Sequence, residues 1–188
     1  MDKNEFWELI QRSYREADWE TDKEMELLIN KLSSYSHEDI IKFQKIYEIY
    51  SQEANTNKLN AAAHIMIDGC EDECFEKFIG WLISRGKDPY LNALQTPDSI
   101  ADLDMPYEDD YYENEEMAEV AQEAFVKKEG EEGLDIYFGE SGEFQLDSDE
   151  IEDIVAEIIF DEDINAEWDK DDEESLRDLL PNIYEKFW

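Results

Sequence analysis

The chain has 188 residues, of which 53 are acidic and 16 are basic, so its formal net charge at neutral pH is −37. The acidic excess is concentrated in the second half: residues 1–99 hold 11 basic and 20 acidic side chains, whereas residues 100–188 hold 5 and 33. A field of this sign repels nucleic acids and anionic membranes and attracts basic protein surfaces. The composition therefore argues against direct nucleic-acid or membrane binding, and it indicates a basic protein as the partner.

The apolar content is high enough to build a core in spite of this charge. Hydrophobic residues make up 41% of the chain and aromatic residues 13%, which is too much for a disordered protein. The length fits one domain, or a larger helical lobe with a smaller acidic extension. No apolar run approaches the ~18 residues of a membrane span, and the opening residues MDKNEFWELI lack the apolar core of a signal peptide. We therefore expect a cytoplasmic protein.

Cys70 and Cys74 lie four residues apart in a helical context, and the sequence has no other cysteine. This spacing favours two reduced thiols over a disulfide framework. Together with His64 they supply three of the four ligands that a structural zinc ion needs, and the fourth is missing. We therefore expect these side chains to pack between helices.

Apolar residues recur at intervals of three and four over most of residues 1–95, which predicts consecutive amphipathic helices. Thr21 and Glu24 form a capping-box pattern, in which the hydroxyl accepts from a free backbone N–H and the carboxylate reaches back toward the helix start. The predicted helices are about Asn4–Ala17, Thr21–Leu32, Ser36–Tyr50, Asn60–Ile67, Phe75–Ile83 and Pro89–Leu94.

The second half begins with an acidic connecting segment over residues 100–116, after which a helix resumes at Met117 and stops at Gly130. The pattern over residues 134–146 predicts a small β-hairpin. A loop anchored by its aromatic side chains is the alternative. Two final helices follow, over about Asp149–Phe160 and Glu173–Trp188, and Pro181 should kink the second.

These elements predict a mainly α fold. It is a multi-helix, bundle-like domain over residues 1–130, with an acidic C-terminal helical extension over residues 131–188 packed on it.

Residues 61–103 and the opening MDKNEFWELI share features with a known bacterial family. The shared features are a Phe-Trp pair in the first helix, an alanine-rich helix that ends in a Gly-Cys turn, a Trp-Leu-Ile run and a closing Pro-Asp, here Phe6, Trp7, Gly69, Cys70, Trp81–Ile83, Pro97 and Asp98. The chain thereby resembles the family called domain of unknown function 4240 over residues 1–130. The resemblance implies a bacterial, mainly helical domain and brings no established activity.

The segment DEDINAEWDKDD, between two predicted helices, has the spacing of a calcium loop. The candidate ligands are Asp161, Asp163, Asn165, Glu167, Asp169 and Asp172, with Glu167 acting through its carbonyl. Ala166 stands where such a loop has a glycine, and Asp172 stands where it has a bidentate glutamate. A solvated loop between helices is the alternative interpretation.

Tyrosines alternate with carboxylates between Pro106 and Glu116, a pattern that could fill a basic cleft as phosphates would. An acidic linker lying on the helical lobe is the alternative. With two positions from the later loop, the candidate partner-binding residues are Glu108, Asp109, Asp110, Tyr111, Tyr112, Glu113, Glu115, Glu116, Trp168 and Asp171.

Together these patterns predict a non-enzymatic, acidic interaction protein of the inhibitor, immunity or regulatory type. Its expected partner is a basic protein such as a nuclease or another nucleic-acid-binding protein. Neither His37 nor His64 has a serine or cysteine at a spacing typical of nucleophilic catalysis. The alternatives are a calcium-responsive module that uses residues 161–172, a solvated acidic bundle without a specific charged partner, and an enzyme whose site the sequence does not reveal.

Overall fold

A computed structural model of the chain describes residues 1–18, 20–70, 72–104 and 112–188, with Asp72 described in its backbone alone. This part of the chain contains eleven α-helices and no β-strand. The helices are α1 Lys3–Ala17, α2 Thr21–Leu32, α3 His37–Glu53, α4 Asn57–Met66, α5 Asp72–Ser84, α6 Lys87–Gln95, α7 Val120–Glu129, α8 Gly133–Ser141, α9 Ser148–Val155, α10 Glu173–Leu179 and α11 Pro181–Phe187. The mainly α prediction is confirmed.

An aromatic cluster joins α1, α3 and α6 at the centre of the core. The ring of Phe6 lies 4.8 Å from that of Phe43, and the ring of Trp7 lies 4.7 Å from Tyr50 and 5.4 Å from Tyr90. The Tyr90 hydroxyl donates to the Tyr50 carbonyl at 2.6 Å, so this buried polar group is satisfied. Each such ring pair adds about 1 kcal/mol beyond the apolar area that it buries.

The C-terminal helices contribute to this same core. Ile154 of α9, Leu176 of α10 and Ile183 of α11 belong to one continuous cluster of buried apolar residues with α1 to α7. A domain boundary at residue 130 stays a prediction.

The hairpin predicted over residues 134–146 is wrong, because residues 133–141 form α8. Gly133 lets α8 approach α7 closely: a Cβ added there would lie 2.6 Å from the carbonyl oxygen of Phe125. Tyr137 is then buried, with its ring 5.3 Å from that of Phe125. Packing against α7 decides in favour of the helix, and neither contact is visible in a local strand pattern.

The capping box predicted at Thr21 and Glu24 is also wrong. Helix α2 has Glu20 at its N-cap and no side-chain cap, while Glu24 faces the core and pairs with Arg85. Boxes of this kind do form at Asp2 with Glu5 and, at the start of α9, at Asp147 with Glu150.

Pro181 breaks the last predicted helix rather than kinking it. Leu180 is non-helical, and Pro181 starts α11 at the position where its missing N–H costs nothing. The carboxylate of Asp98 accepts from the backbone N–H groups of Asn182, at 3.0 Å, and Ile183, at 2.9 Å. The first turn of α11 is therefore hydrogen-bonded to Asp98, which lies in residues 1–130, the part of the chain that resembles the family.

The expectation of reduced thiols is wrong as well, since the structure joins Cys70 and Cys74 in a disulfide. Cys70 precedes α5, so the two residues do not share one helix. Their Cα atoms are 5.4 Å apart, within the range that a disulfide spans.

None of the described helices combines the length and the apolar character needed to cross a bilayer.

A substitution at Gly80 of α5 would test how tightly the segment after residue 112 packs on the bundle. A Cβ added at Gly80 would lie 2.3 Å from the carbonyl oxygen of Asn114, so the segment would have to move. We expect Gly80→Ala to lower the free energy of unfolding by about 2 kcal/mol, measured by urea denaturation. Gly139→Ala is the control: nothing lies within 4 Å of its added Cβ in α8, and it should stabilise the protein slightly. Equal effects of the two variants would contradict this close packing.

Candidate binding groove

A groove of about 790 Å³ lies between α3, α5 and residues 114–118. Its deepest lining residues are almost fully buried: Tyr47 is 6% exposed, Phe75 6%, Ile79 3% and Asn114 4%. Burial raises the pKa of Tyr47 to about 12, so its hydroxyl keeps its proton at neutral pH. The floor is therefore mostly apolar, with a few uncharged polar groups.

The rim of the groove is acidic. Of the described residues that line it, four are glutamates, namely Glu48, Glu73, Glu76 and Glu115, and one is a lysine, Lys77. The Lys77 ammonium lies 2.8 Å from a carboxylate oxygen of Glu115 and 3.5 Å from one of Glu73. The hydrogen bond to Glu115, more than the charge of Glu73, raises the pKa of Lys77. One ammonium thus sits between two rim carboxylates. Glu48 pairs with Lys45 at 3.0 Å, and Glu76 adds further negative charge to the rim.

Asn114 holds the far wall of the groove in place. Its backbone N–H donates to the carbonyl of Lys77 at 2.9 Å, and its side-chain oxygen accepts from the N–H of Met117 at 3.1 Å. Residues 114–118 are therefore fixed against α5 through the backbone as well as through the Lys77–Glu115 pair.

The predicted partner-binding residues divide into three groups. Glu108, Asp109, Asp110 and Tyr111 lie outside the described residues. Glu113, Glu115, Glu116 and Asp171 are half-buried or exposed, and Glu115 lies on the rim of the groove. Tyr112 and Trp168 face the protein itself.

Tyr112 is 8% exposed, and its ring makes edge contacts with Trp81 and Phe187, each at 5.5 Å. Trp168 is half-buried, and its ring lies 5.2 Å from that of His64. These two aromatic residues anchor their segments to the core, and in this conformation they do not offer a free contact surface.

The predicted calcium ligands are not gathered into a site. Among the described residues, no three His, Cys, Asp or Glu side chains lie close enough together to hold a metal ion. Asp161 pairs with Lys58 at 3.0 Å and also accepts from the backbone N–H of Asp163 at 2.8 Å. Asn165 bonds to Asn57, whereas Glu167, Asp169 and Asp172 are exposed. The loop is folded by these local and inter-helix bonds.

Sequence reasoning did not find Tyr47, Glu48 or Glu76. Each lies on an amphipathic helix whose polar stripe is typical of an ordinary solvent face. The spacing of Glu48 and Gln52 on α3, with Asn55 just beyond its end, was the available signal, but it does not show that α5 lies opposite.

A family model described as "Protein of unknown function (DUF4240)" matches residues 1–127. The chain belongs to this family. The match confirms the resemblance seen at Phe6, Trp7 and the Gly69–Cys70 turn, and all the groove residues fall within it. No curated protein and no solved structure matches the chain.

A second polar feature of the family-matched residues is the buried pair of Glu24 and Arg85. Their side chains are joined at 2.8 Å, Glu24 is 2% exposed, and the Arg85 guanidinium also lies over the Tyr14 ring at 4.5 Å. Burial raises the pKa of Glu24 to about 7, although Arg85 opposes this shift. Perturbed carboxyls are common in catalytic sites, but Glu24 does not line the groove.

The pair makes stability depend on pH. Because the folded pKa of Glu24 lies above its ordinary 4.5, its contribution is fully present below that value and is lost as pH rises through about 7. Relative to Glu24→Gln, the wild type should lose about 2 kcal/mol of unfolding free energy between pH 5 and pH 8, measured by urea denaturation. Glu26→Gln, on the exposed face of α2, should follow the wild type. A pH dependence that is parallel in all three proteins would contradict the raised pKa.

Proposed function

We propose that this protein is a non-enzymatic binding protein that holds a basic segment of a partner protein in the acidic groove. The type would be an inhibitor, an immunity protein or a regulator, and the partner a nuclease or another nucleic-acid-binding protein. The observation that carries the proposal is the combination of a rim of glutamates with a buried apolar floor.

The groove fits a segment that is both basic and apolar. Lysine or arginine side chains would meet Glu48, Glu76 and Glu115 at the rim, while an apolar side chain would cover Phe75 and Ile79 on the floor. Lys77 supports this assignment, because its ammonium already lies between two rim carboxylates.

The affinity would come from several small terms at the rim and on the floor. An exposed ion pair stabilises by about 0.2–1 kcal/mol, so rim pairs alone give weak binding. Covering exposed apolar surface adds about 25 cal/mol for each Å² removed from water. Phe75 and Ile79 are already 6% and 3% exposed, so the floor adds only a small term.

The net charge acts on the rate of association. A charge of −37 attracts a basic partner from a distance and speeds encounter, and salt screens this attraction. A non-specific acidic surface would show the same salt dependence, so salt dependence alone does not identify the groove.

The test uses a fluorescein-labelled amphipathic peptide of lysine and leucine, with binding followed by fluorescence anisotropy. The groove variant carries Glu48→Gln, Glu76→Gln and Glu115→Gln. We expect its dissociation constant to rise roughly 10-fold, because three rim pairs are lost. Replacing the leucines of the peptide by serine should weaken binding to the wild type as well.

A matched control loses the same charge elsewhere, by Glu131→Gln, Glu132→Gln and Asp135→Asn on the exposed start of α8 and the turn before it. Its dissociation constant should change less than roughly twofold, since distant charges are screened at physiological salt. Equal weakening in the two triple variants would show that diffuse charge binds the peptide, and the groove proposal would fail.

A further inference from the structure

Four of the nine lysines within residues 1–127 pair with one segment that lies outside the family match. We call residues 148–165 the acidic strap. Four lysines pair with it: Lys3 with Asp153 at 2.9 Å, Lys42 with Glu150 at 2.9 Å, Lys58 with Asp161 at 3.0 Å and Lys87 with Glu157 at 2.7 Å. Four lysines of residues 1–127 thus form ion pairs with four carboxylates of the acidic strap.

Glu157 occupies the most enclosed point of this contact. Its side chain is 14% exposed, and its carboxylate lies 2.7 Å from the Lys87 ammonium and 3.6 Å from that of Lys3. The Tyr50 hydroxyl donates a short hydrogen bond to the other carboxylate oxygen. Both oxygens therefore have partners, and all the partners are donors.

The pKa shifts of Tyr50 and Glu157 keep the phenol protonated and the carboxylate ionised. Burial and, next, the bond to Glu157 raise the pKa of Tyr50 well above its ordinary value, so the phenol keeps the proton that it donates. Burial also raises the pKa of Glu157, but the bonds from Lys87 and Tyr50 outweigh it and leave that pKa below its usual range. Trp7 packs against Tyr50, with the two rings 4.7 Å apart.

Ion pairs and apolar contacts both hold the strap. Ile154 and Ile164 are buried, at 3% and 8% exposure, whereas Ile151, Ile159 and Phe160 are 42%, 61% and 37% exposed. Three large apolar side chains of the strap are therefore not anchored in the core, and salt weakens the ion pairs that hold it.

We propose that Lys3, Lys87 and Tyr50 form an oxyanion-binding site, which Glu157 of the acidic strap occupies in place of a ligand that bears a carboxylate or a phosphate. All three donors lie within residues 1–127, the part that matches the family model, whereas Glu157 lies beyond it. Two ammonium groups and one phenol suit either a planar carboxylate or a phosphate.

The overall negative charge does not prevent such binding. At physiological ionic strength, charges more than about 8 Å away are largely screened. The near charges at this site, apart from Glu157, are the two lysine ammonium groups and the carboxylate of Asp153, which pairs with Lys3. The site is separate from the acidic groove, so the two proposals stand or fall independently.

The experiment asks whether a free anion replaces the missing carboxylate in the full chain. Glu157→Ala empties the site, and we expect it to lower the melting temperature by roughly 5–10 °C, because the Lys87 ammonium loses its closest anion and Lys3 keeps only Asp153. Sodium acetate or sodium phosphate should then raise the melting temperature by roughly 2–4 °C above sodium chloride of equal ionic strength. A response to acetate alone indicates a carboxylate ligand, and a stronger response to phosphate indicates a phosphate ligand.

Two further variants separate site binding from general salt effects. Glu157→Gln removes the same charge but leaves the space filled, and Glu162→Ala removes an exposed carboxylate of the strap. Neither should respond to acetate or phosphate as Glu157→Ala does. If all three variants respond equally, or none responds, the triad only attaches the strap and the proposal is overturned. If Glu157→Ala is unfolded in chloride, folding on addition of either anion supports the site, and failure to fold with both overturns it.

Discussion

The chain has only 16 basic residues for 53 acidic ones. Several of these cations form ion pairs between segments that are far apart in sequence. Lys87 and Lys3 hold Glu157, Lys58 holds Asp161, and Arg85 holds Glu24 inside the bundle. Each pair neutralises acid where two elements meet, which lowers the self-repulsion that a charge of −37 would otherwise bring to a compact fold. The remaining acid is left on the surface, where water and salt screen it.

This distribution produces two sites of opposite character within the family-matched residues. On one side, α3 and α5 form a groove in which carboxylates outnumber the single lysine that lines it among the described residues. On another, the lysines are concentrated, and the acidic strap covers them. The groove is open in this conformation and the cationic site is closed by the chain itself, so a basic partner and an anionic ligand would act at different places.

The family match ends inside α7, yet the core does not end there. Ile154, Leu176 and Ile183 pack into the cluster that α1 and α3 begin, and Asp98 caps the first turn of α11. The residues after 127 are thus both a source of charge and part of the structural framework. A change in the strap should therefore affect stability as well as ligand access, which is why filled and emptied versions of the Glu157 site must be compared.

Local patterns were sufficient to predict most of the helices, because the three- and four-residue spacing of apolar side chains is a property of the sequence alone. The amount and sign of the charge and the family resemblance were available in the same way, whereas at Pro181 the sequence predicted a kink and the structure has a break. The sequence could not show that Glu24 turns inward to Arg85, that residues 133–141 pack as a helix on α7, or that Cys70 reaches Cys74. Nor could it show that Tyr47 and Glu76 face one groove, or that Glu157 lies between Lys3 and Lys87. Each of these depends on which helix faces meet, and that choice is made by contacts between residues distant in the chain, which no local spacing contains.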